Sequence, residues 1–329
     1  MEQYFLRESA WLALVQKFPK VVGSTDPRGF RSAEPLKSVV FPVSEKVSPY
    51  FGTEAEYPGR PVVIVGARSC DLEALVVYDQ VLATGELADP FYQARRNNLI
   101  IISADCTDCG QTCFCTMVNG QPFPKRGFDL NFSPVESGYI VAIGTSRGEQ
   151  IVKEDKNLFE LATAEQLKER DKNRKQMTDQ VQAQNQEFTC RCNISWTEAH
   201  KINLQNQTAW KQITKNCVEC SSCNLVCPSC SCFLLLDQPE NGRYGRYKVW
   251  DACLKNGYAK VAGGANSRPK LFERLQNRYH CKFDYSFERL GRYTCVGCGR
   301  CIDGCAANID MRRVYAELVK QVPLTAKLE

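Results

Sequence analysis

Short apolar runs alternate with amphipathic stretches along the first half of the chain. In residues 8–18, Trp11, Leu14, Val15 and Phe18 fall on one helical face, and Pro19 is expected to stop the run. Val62-Val63-Ile64-Val65, ending at Gly66, predicts a buried strand. Asp71 then predicts the cap of a helix carrying Leu72, Leu75, Val76, Asp79 and Leu82. Asp89-Pro90 predicts a second helix start, with Asp as N-cap and Pro in the first turn. Leu99-Ile100-Ile101-Ile102-Ser103 is a second buried strand. Strand, helix, helix, strand predicts a βαβ-type unit in an α/β domain. Residues 24–60 are rich in Pro, Gly and charge and read as loops and short strands. Residues 128–152 carry turn signals at Ser137-Gly138 and Arg147-Gly148 and read as antiparallel strands closing the domain. Residues 168–187 are nearly all charged or amide side chains, which predicts a solvated helix or linker at a domain boundary. Beyond Cys305 a helix is expected through Met311, Val314, Tyr315 and Leu318. The resulting expectation is α+β / α/β: an N-terminal α/β domain at 1–155, a helical linker at 156–210 and a cysteine-rich domain at 211–329.

The cysteines change this picture. Cys217, Cys220, Cys223 and Cys227 are spaced C-x₂-C-x₂-C-x₃-C, with Pro228 following, and Cys295, Cys298, Cys301 and Cys305 repeat that spacing. This is the bacterial-ferredoxin pattern, in which the fourth cysteine of each run ligates the other cluster. It assigns one [4Fe–4S] cluster to Cys217, Cys220, Cys223 and Cys305, and a second to Cys295, Cys298, Cys301 and Cys227. Zinc sites instead pair cysteines two by two across longer gaps. The third segment therefore reads as a bacterial-type dicluster ferredoxin domain, elaborated by a long insertion between Cys227 and Cys295.

Composition narrows the class further. The formal charge is +5 with cysteines neutral, while each oxidised cluster with its four thiolates brings about −2. The basic excess thus offsets cluster charge and is no nucleic-acid footprint. Only His200 and His280 are present, which argues against haem and histidine-rich metal sites. The first residues lack a basic start followed by an apolar core, and no apolar run approaches membrane-spanning length. With nineteen cysteines and no sign of an oxidising compartment, the expectation is a cytoplasmic metalloprotein without a membrane span.

Eight cysteines are absorbed by the two runs. Cys70 and Cys106 each follow a predicted strand, at the edge where open α/β sheets form their binding crevice. Cys113 and Cys115 lie a few residues later in Thr112-Cys113-Phe114-Cys115. Cys70, Cys106, Cys113 and Cys115 suit a third [4Fe–4S] cluster, with Cys109 as an alternative ligand. The competing reading is that a buried thiol acts as a small apolar residue. That reading suits Cys281 and Cys190. Cys230, Cys232 and Cys253 either ligate metal or line the clusters. Gly297, Gly299 and Ser221-Ser222 keep the cluster loops small, and Arg300, Arg292 and Lys215 offer positive charge that would raise potentials. No Ser/His/Asp set, phosphate loop or G-x-G-x-x-G is present.

Several stretches taken together resemble a known family. They are Gly66-Ala67-Arg68-Ser69-Cys70-Asp71, Asp89-Pro90-Phe91-Tyr92 with Arg95-Arg96, the Cys106 to Cys115 loop, Phe128-Asp129-Leu130, Trp250-Asp251-Ala252-Cys253, Val261-Ala262-Gly263-Gly264-Ala265-Asn266, Arg268-Pro269 and the Cys295 to Cys305 run. On these the chain resembles the iron–sulfur beta subunit of soluble sulfhydrogenases and the A subunit of anaerobic sulfite reductases. The resemblance implies a non-catalytic electron-transfer subunit. Its partners would be a flavin subunit using NAD(P) and a catalytic redox subunit of hydrogenase, sulfite or sulfur reductase, or heterodisulfide reductase type. Ala306 departs from the pattern, standing where ferredoxin runs usually have Pro. The alternatives are a subunit that reduces polysulfide or disulfides directly, and a redox-sensing or scaffold protein.

Overall fold

The computed structural model describes residues 3–18, 20–49, 61–86, 88–189, 194–240 and 242–322. Its strands are β1 (Gln3–Arg7), β2 (Val21–Gly23), β3 (Ser44–Pro49), β4 (Val62–Ala67), β5 (Leu99–Ala104), β6 (Leu130–Val135), β7 (Gly138–Ile143), β8 (Phe159–Leu161), β9 (Phe233–Glu240) and β10 (Arg243–Trp250). The chain forms two compact units, Met1–Phe41 with Glu56–Gln184, and Pro42–Ala55 with Asn185–Glu329.

The first unit is built on a seven-stranded sheet in the order β2-β4-β5-β6-β7-β1-β8. β2, β4, β5 and β6 run parallel, and β7, β1 and β8 complete the sheet in antiparallel pairings. The unbroken apolar character of β4 and β5 is what a parallel strand covered on both faces requires. Accordingly Val63, Val65, Ile102 and Ala104 pack with Trp11, Leu14, Leu130, Phe132 and Val141 in one core. The two predicted helices between β4 and β5 are Ser69–Leu82 and Pro90–Asn97. Asp89 caps the second, accepting from the N–H groups of Phe91 at 2.9 Å and Tyr92 at 3.1 Å. Asp79 clamps the two helices together, accepting from the Tyr92 hydroxyl at 2.6 Å and the Arg96 Nε at 3.0 Å.

Local expectations shift in three places. Asp71 is not the helix cap: it sits one turn in, and its Oδ2 accepts from the Arg68 N–H at 3.2 Å. Arg147-Gly148 is not a strand turn but the start of a helix, Ser146–Glu154, capped by Thr145. Gly148 is needed there because a Cβ would lie 2.0 Å from the Asp129 carbonyl oxygen. Residues expected as a solvated linker form the helix Ala164–Ala183, which belongs to the first unit. Its polar side chains have partners on that unit: Arg174 donates to Asp105 Oδ2 at 2.7 Å, and Asn173 to the Pro134 carbonyl at 3.3 Å.

The second unit carries a three-stranded antiparallel sheet, β3-β10-β9. The insertion between the cysteine runs supplies the β9–β10 hairpin, and β3 joins from far upstream. A buried ion pair between Lys248 and Glu45, 3.0 Å apart, fixes β3 on β10. The helices Trp196–Ile202, Leu271–Phe283 and Met311–Lys320 share an aromatic core. Trp196 stacks on Phe283 at 4.2 Å and on Tyr315 at 4.3 Å between ring centroids. His200 is fully buried beside them, its Nδ1 2.6 Å from the Trp196 carbonyl oxygen. Among the described residues no helix is long and apolar enough to cross a membrane.

Candidate iron–sulfur centres

The two cysteine runs of the second unit share one backbone shape. In Cys217-Val-Glu-Cys220-Ser-Ser-Cys223, Glu219 and Ser221 have φ of 54° and 60°. In Cys295-Val-Gly-Cys298-Gly-Arg-Cys301, Gly297 and Gly299 occupy the same positions with φ of 64° and 78°. Alternating right- and left-handed residues turn successive N–H groups to one side, forming the concave nest that suits anions and iron–sulfur groups. The Glu219 N–H donates to the Cys217 sulfur and the Gly297 N–H to the Cys295 sulfur. In the first run the left-handed positions are held by Glu and Ser, at a cost that glycine would avoid.

The sulfurs group across the repeats. Cys217 lies within electrostatic reach of Cys220, Cys223 and Cys305. These four line a single cavity, which Cys301 of the other group also reaches, together with Arg278, Tyr279 and Met311. Cys295 senses Cys227 and Cys298, and Cys301 senses Cys298, Cys295 and Cys227. Burial pushes the Cys295 thiol up to about 12, with the Gly297 N–H opposing it. The two groups differ in depth: Cys220 is exposed and Val218 beside it is 65% exposed, whereas Cys227 and Cys298 are buried.

One helix faces both groups. Leu271–Phe283 places Arg274, Arg278 and Lys282 four residues apart, and therefore on one face. Arg274 pairs with Glu219 of the first nest. Arg278 Nη2 donates to the Cys223 carbonyl at 2.7 Å, and Lys282 Nζ donates to Ser229 Oγ at 2.9 Å. Burial works against the Arg278 charge, yet the sulfurs of Cys223, Cys230, Cys301 and Cys227 outweigh it and hold its pKa above the usual value. Lys282 is held up in the same way by Cys227, Cys230 and Cys281. Arg278 Nη1 is buried without a hydrogen-bond partner among the described residues. A buried cation is stable only beside a compensating negative group. An anionic cluster in the cavity that Arg278 lines meets that need, so the residues present fit the group. Basic residues at i, i+4 and i+8 were the readable signal for this helix. Of the cations expected from sequence, Arg300 is buried and Lys215 is exposed.

The remaining cysteines of this unit form hydrogen-bonded pairs. Cys230 donates to Cys227, which lowers the Cys227 pKa and raises its own. Cys232 and Cys253 are likewise in side-chain contact. Asn224 Nδ2 approaches Cys253 Sγ at 3.2 Å and Cys230 Sγ at 3.8 Å. Cys281, expected to be buried, is exposed: its helix turns the Arg278–Lys282 face inward instead. Cys190 lies outside the described residues.

In the first unit, β4 and β5 are parallel neighbours, with Ala67 opposite Ser103. Cys70 and Cys106 therefore follow adjacent strand ends. Cys115 senses Cys106 and Cys113, and Cys109 senses Cys113. Arg68 and Asp71, flanking Cys70, both act on Cys106. Burial pushes Cys106 up to about 12, against the pull of the Arg68 guanidinium, which is itself 1% exposed. Gln184, just past the helix Ala164–Ala183, ties the loop down. Its Nε2 donates to the carbonyls of Cys113 at 2.7 Å and Gly110 at 3.1 Å, and its Oε1 accepts from Cys109 at 3.4 Å. Sequence reasoning missed this, because an amide at the end of a polar helix carries no pattern of its own.

Two comparisons with known proteins identify the domain and the family. The family model of the 4Fe-4S dicluster domain matches residues 216–309. The chain is also similar to the sulfhydrogenase 2 subunit beta of Pyrococcus furiosus. The two are 30% identical over 274 residues, which cover 81% of this chain and 76% of that protein.

Proposed function

The chain belongs to the family of sulfhydrogenase beta subunits, and from that premise we propose that it relays electrons between a flavin subunit using NAD(P) and a catalytic redox subunit. The observation that carries this reading is the crossing of the two repeats. It is supported by Cys305 of the second run acting on Cys217 of the first, and by Cys227 of the first run acting on Cys295 and Cys301 of the second. Cys217, Cys220, Cys223 and Cys305 would hold one [4Fe–4S] cluster, and Cys295, Cys298, Cys301 and Cys227 the other. Each cluster supplies one-electron chemistry when bound. The protein's part is to orient N–H donors at the sulfurs, exclude water from the deeper group, and set local charge through Arg278 and Lys282. The shallower group, with Cys220 at the surface, suits exchange with a partner.

A third cluster in the first unit extends the relay. Its ligands would be Cys70, Cys106, Cys113 and Cys115, with the cationic Arg68 beside them and Cys109 as the alternative donor. Iron and acid-labile sulfide analysis of full-length protein tests both parts. About twelve irons per chain are expected, and about eight in a Cys113→Ser/Cys115→Ser variant that keeps the signals of the dicluster domain. Zinc without sulfide refutes the dicluster assignment, and an unchanged iron count in the variant refutes the third site alone.

A further inference from the structure

Two thiols of the second unit, Cys232 and Cys253, are used by neither ligand set, yet they sit together beside Asn224. The β9–β10 hairpin pairs Phe233 with Trp250, and the Asp251 N–H donates to the Cys232 carbonyl at 3.0 Å. Cys232 and Cys253 thus leave the open end of one hairpin side by side, and their side chains touch. Tyr258 also lies within electrostatic reach of the Cys232 sulfur. Cys253 foremost, with Tyr258, pulls the Cys232 thiol down to about 6 against burial, toward the thiolate that attacks in thiol chemistry. Cys253 is buried, whereas Cys232 is partly accessible.

Asn224 joins this pair to both cluster sites. Its Nδ2 lies 3.2 Å from Cys253 and 3.8 Å from Cys230, whose thiol donates to Cys227. Its Oδ1 lies 3.8 Å from Cys223 Sγ. From Cys253, one amide therefore leads to a sulfur of each proposed ligand set.

We propose that Cys232 and Cys253 form a dithiol/disulfide couple that exchanges two electrons with the iron–sulfur centres of the same unit. From the thiolate of Cys232 and the thiol of Cys253, oxidation breaks the one S–H bond, makes one S–S bond and releases one proton and two electrons. Two one-electron iron–sulfur acceptors take the electrons, and the reverse reaction returns them. The couple would let a one-electron relay hold or deliver a pair. This inference rests on the dicluster reading for its electron acceptor.

The test uses full-length protein with its clusters, purified anaerobically. One sample is oxidised with thionin and another reduced with dithionite. Both are acid-quenched, alkylated with iodoacetamide under denaturing conditions and analysed by peptide mass spectrometry, with iron counted on the same samples. The expected result is a Cys232–Cys253 disulfide peptide in the oxidised sample and two alkylated cysteines in the reduced one. Reductive titration should consume two electrons more than the clusters account for. Cys232→Ser and Cys253→Ala should each remove the cross-link and those two electrons at unchanged iron content. Alkylation of both cysteines in both samples at full iron content overturns the proposal. So does a loss of iron in Cys232→Ser, which would make the pair ligands. Wild-type protein without iron instead overturns the dicluster reading, and with it this electron route.

Discussion

Arg278→Met removes a cation that is 3% exposed and reaches the sulfurs of both ligand sets. Reduction adds a negative charge to a cluster, so a buried cation nearby favours the reduced state and raises the potential. Its effect follows from Coulomb's law. Two unit charges about 7 Å apart at an effective dielectric of about 20 interact by about 2.4 kcal/mol. For a one-electron couple this is on the order of 100 mV. Arg278→Met should therefore lower the midpoint potential of the Cys217-containing centre by about that much, measured by EPR-monitored redox titration. Arg278→Lys should restore most of the loss, because it keeps the charge while losing the bond to the Cys223 carbonyl. Equal potentials in wild type and Arg278→Met, at equal iron content, would refute the idea that this arginine compensates cluster charge.

Two further outcomes concern stability. His200 is held down to about 3 by burial, so the folded chain resists its protonation while the unfolded chain accepts a proton near 6.5. Its contribution is present above that value and is lost as the pH falls toward 3. At pH 5 this amounts to about 2 kcal/mol relative to pH 7, and His200→Phe should reduce the pH dependence of chemical unfolding by that amount. Arg174→Leu would leave Asp105 buried without its cationic partner and should cost about 3 kcal/mol, read as a lower denaturation midpoint. On the third-cluster proposal, and because Cys106 follows Asp105, the same variant should lower the iron count while the signals of the dicluster domain stay intact.

Much of this protein was determined by sequence alone. Apolar runs long enough for a strand but too continuous for a half-exposed one required β4 and β5 to be parallel and covered. Asp89-Pro90 required a helix start, since the carboxylate satisfies N–H groups that proline does not supply. The repeated cysteine spacing predicted a 4Fe-4S dicluster domain, because thiols three residues apart on a tight loop can turn to one side of it. Tertiary structure decided what depends on distant partners. β3 lies far from β10 in sequence, and the buried Lys248–Glu45 pair and the strand register join them. The polar helix Ala164–Ala183 reads as solvated because its anchors, Asp105 and the Pro134 carbonyl, lie on other elements. Arg278 and Lys282 resemble surface cations until folding turns them toward the sulfurs. Cys232 and Cys253 are ordinary thiols until a hairpin brings them into contact. In each case the deciding energy is pairwise between groups far apart in sequence, so no local pattern can carry it.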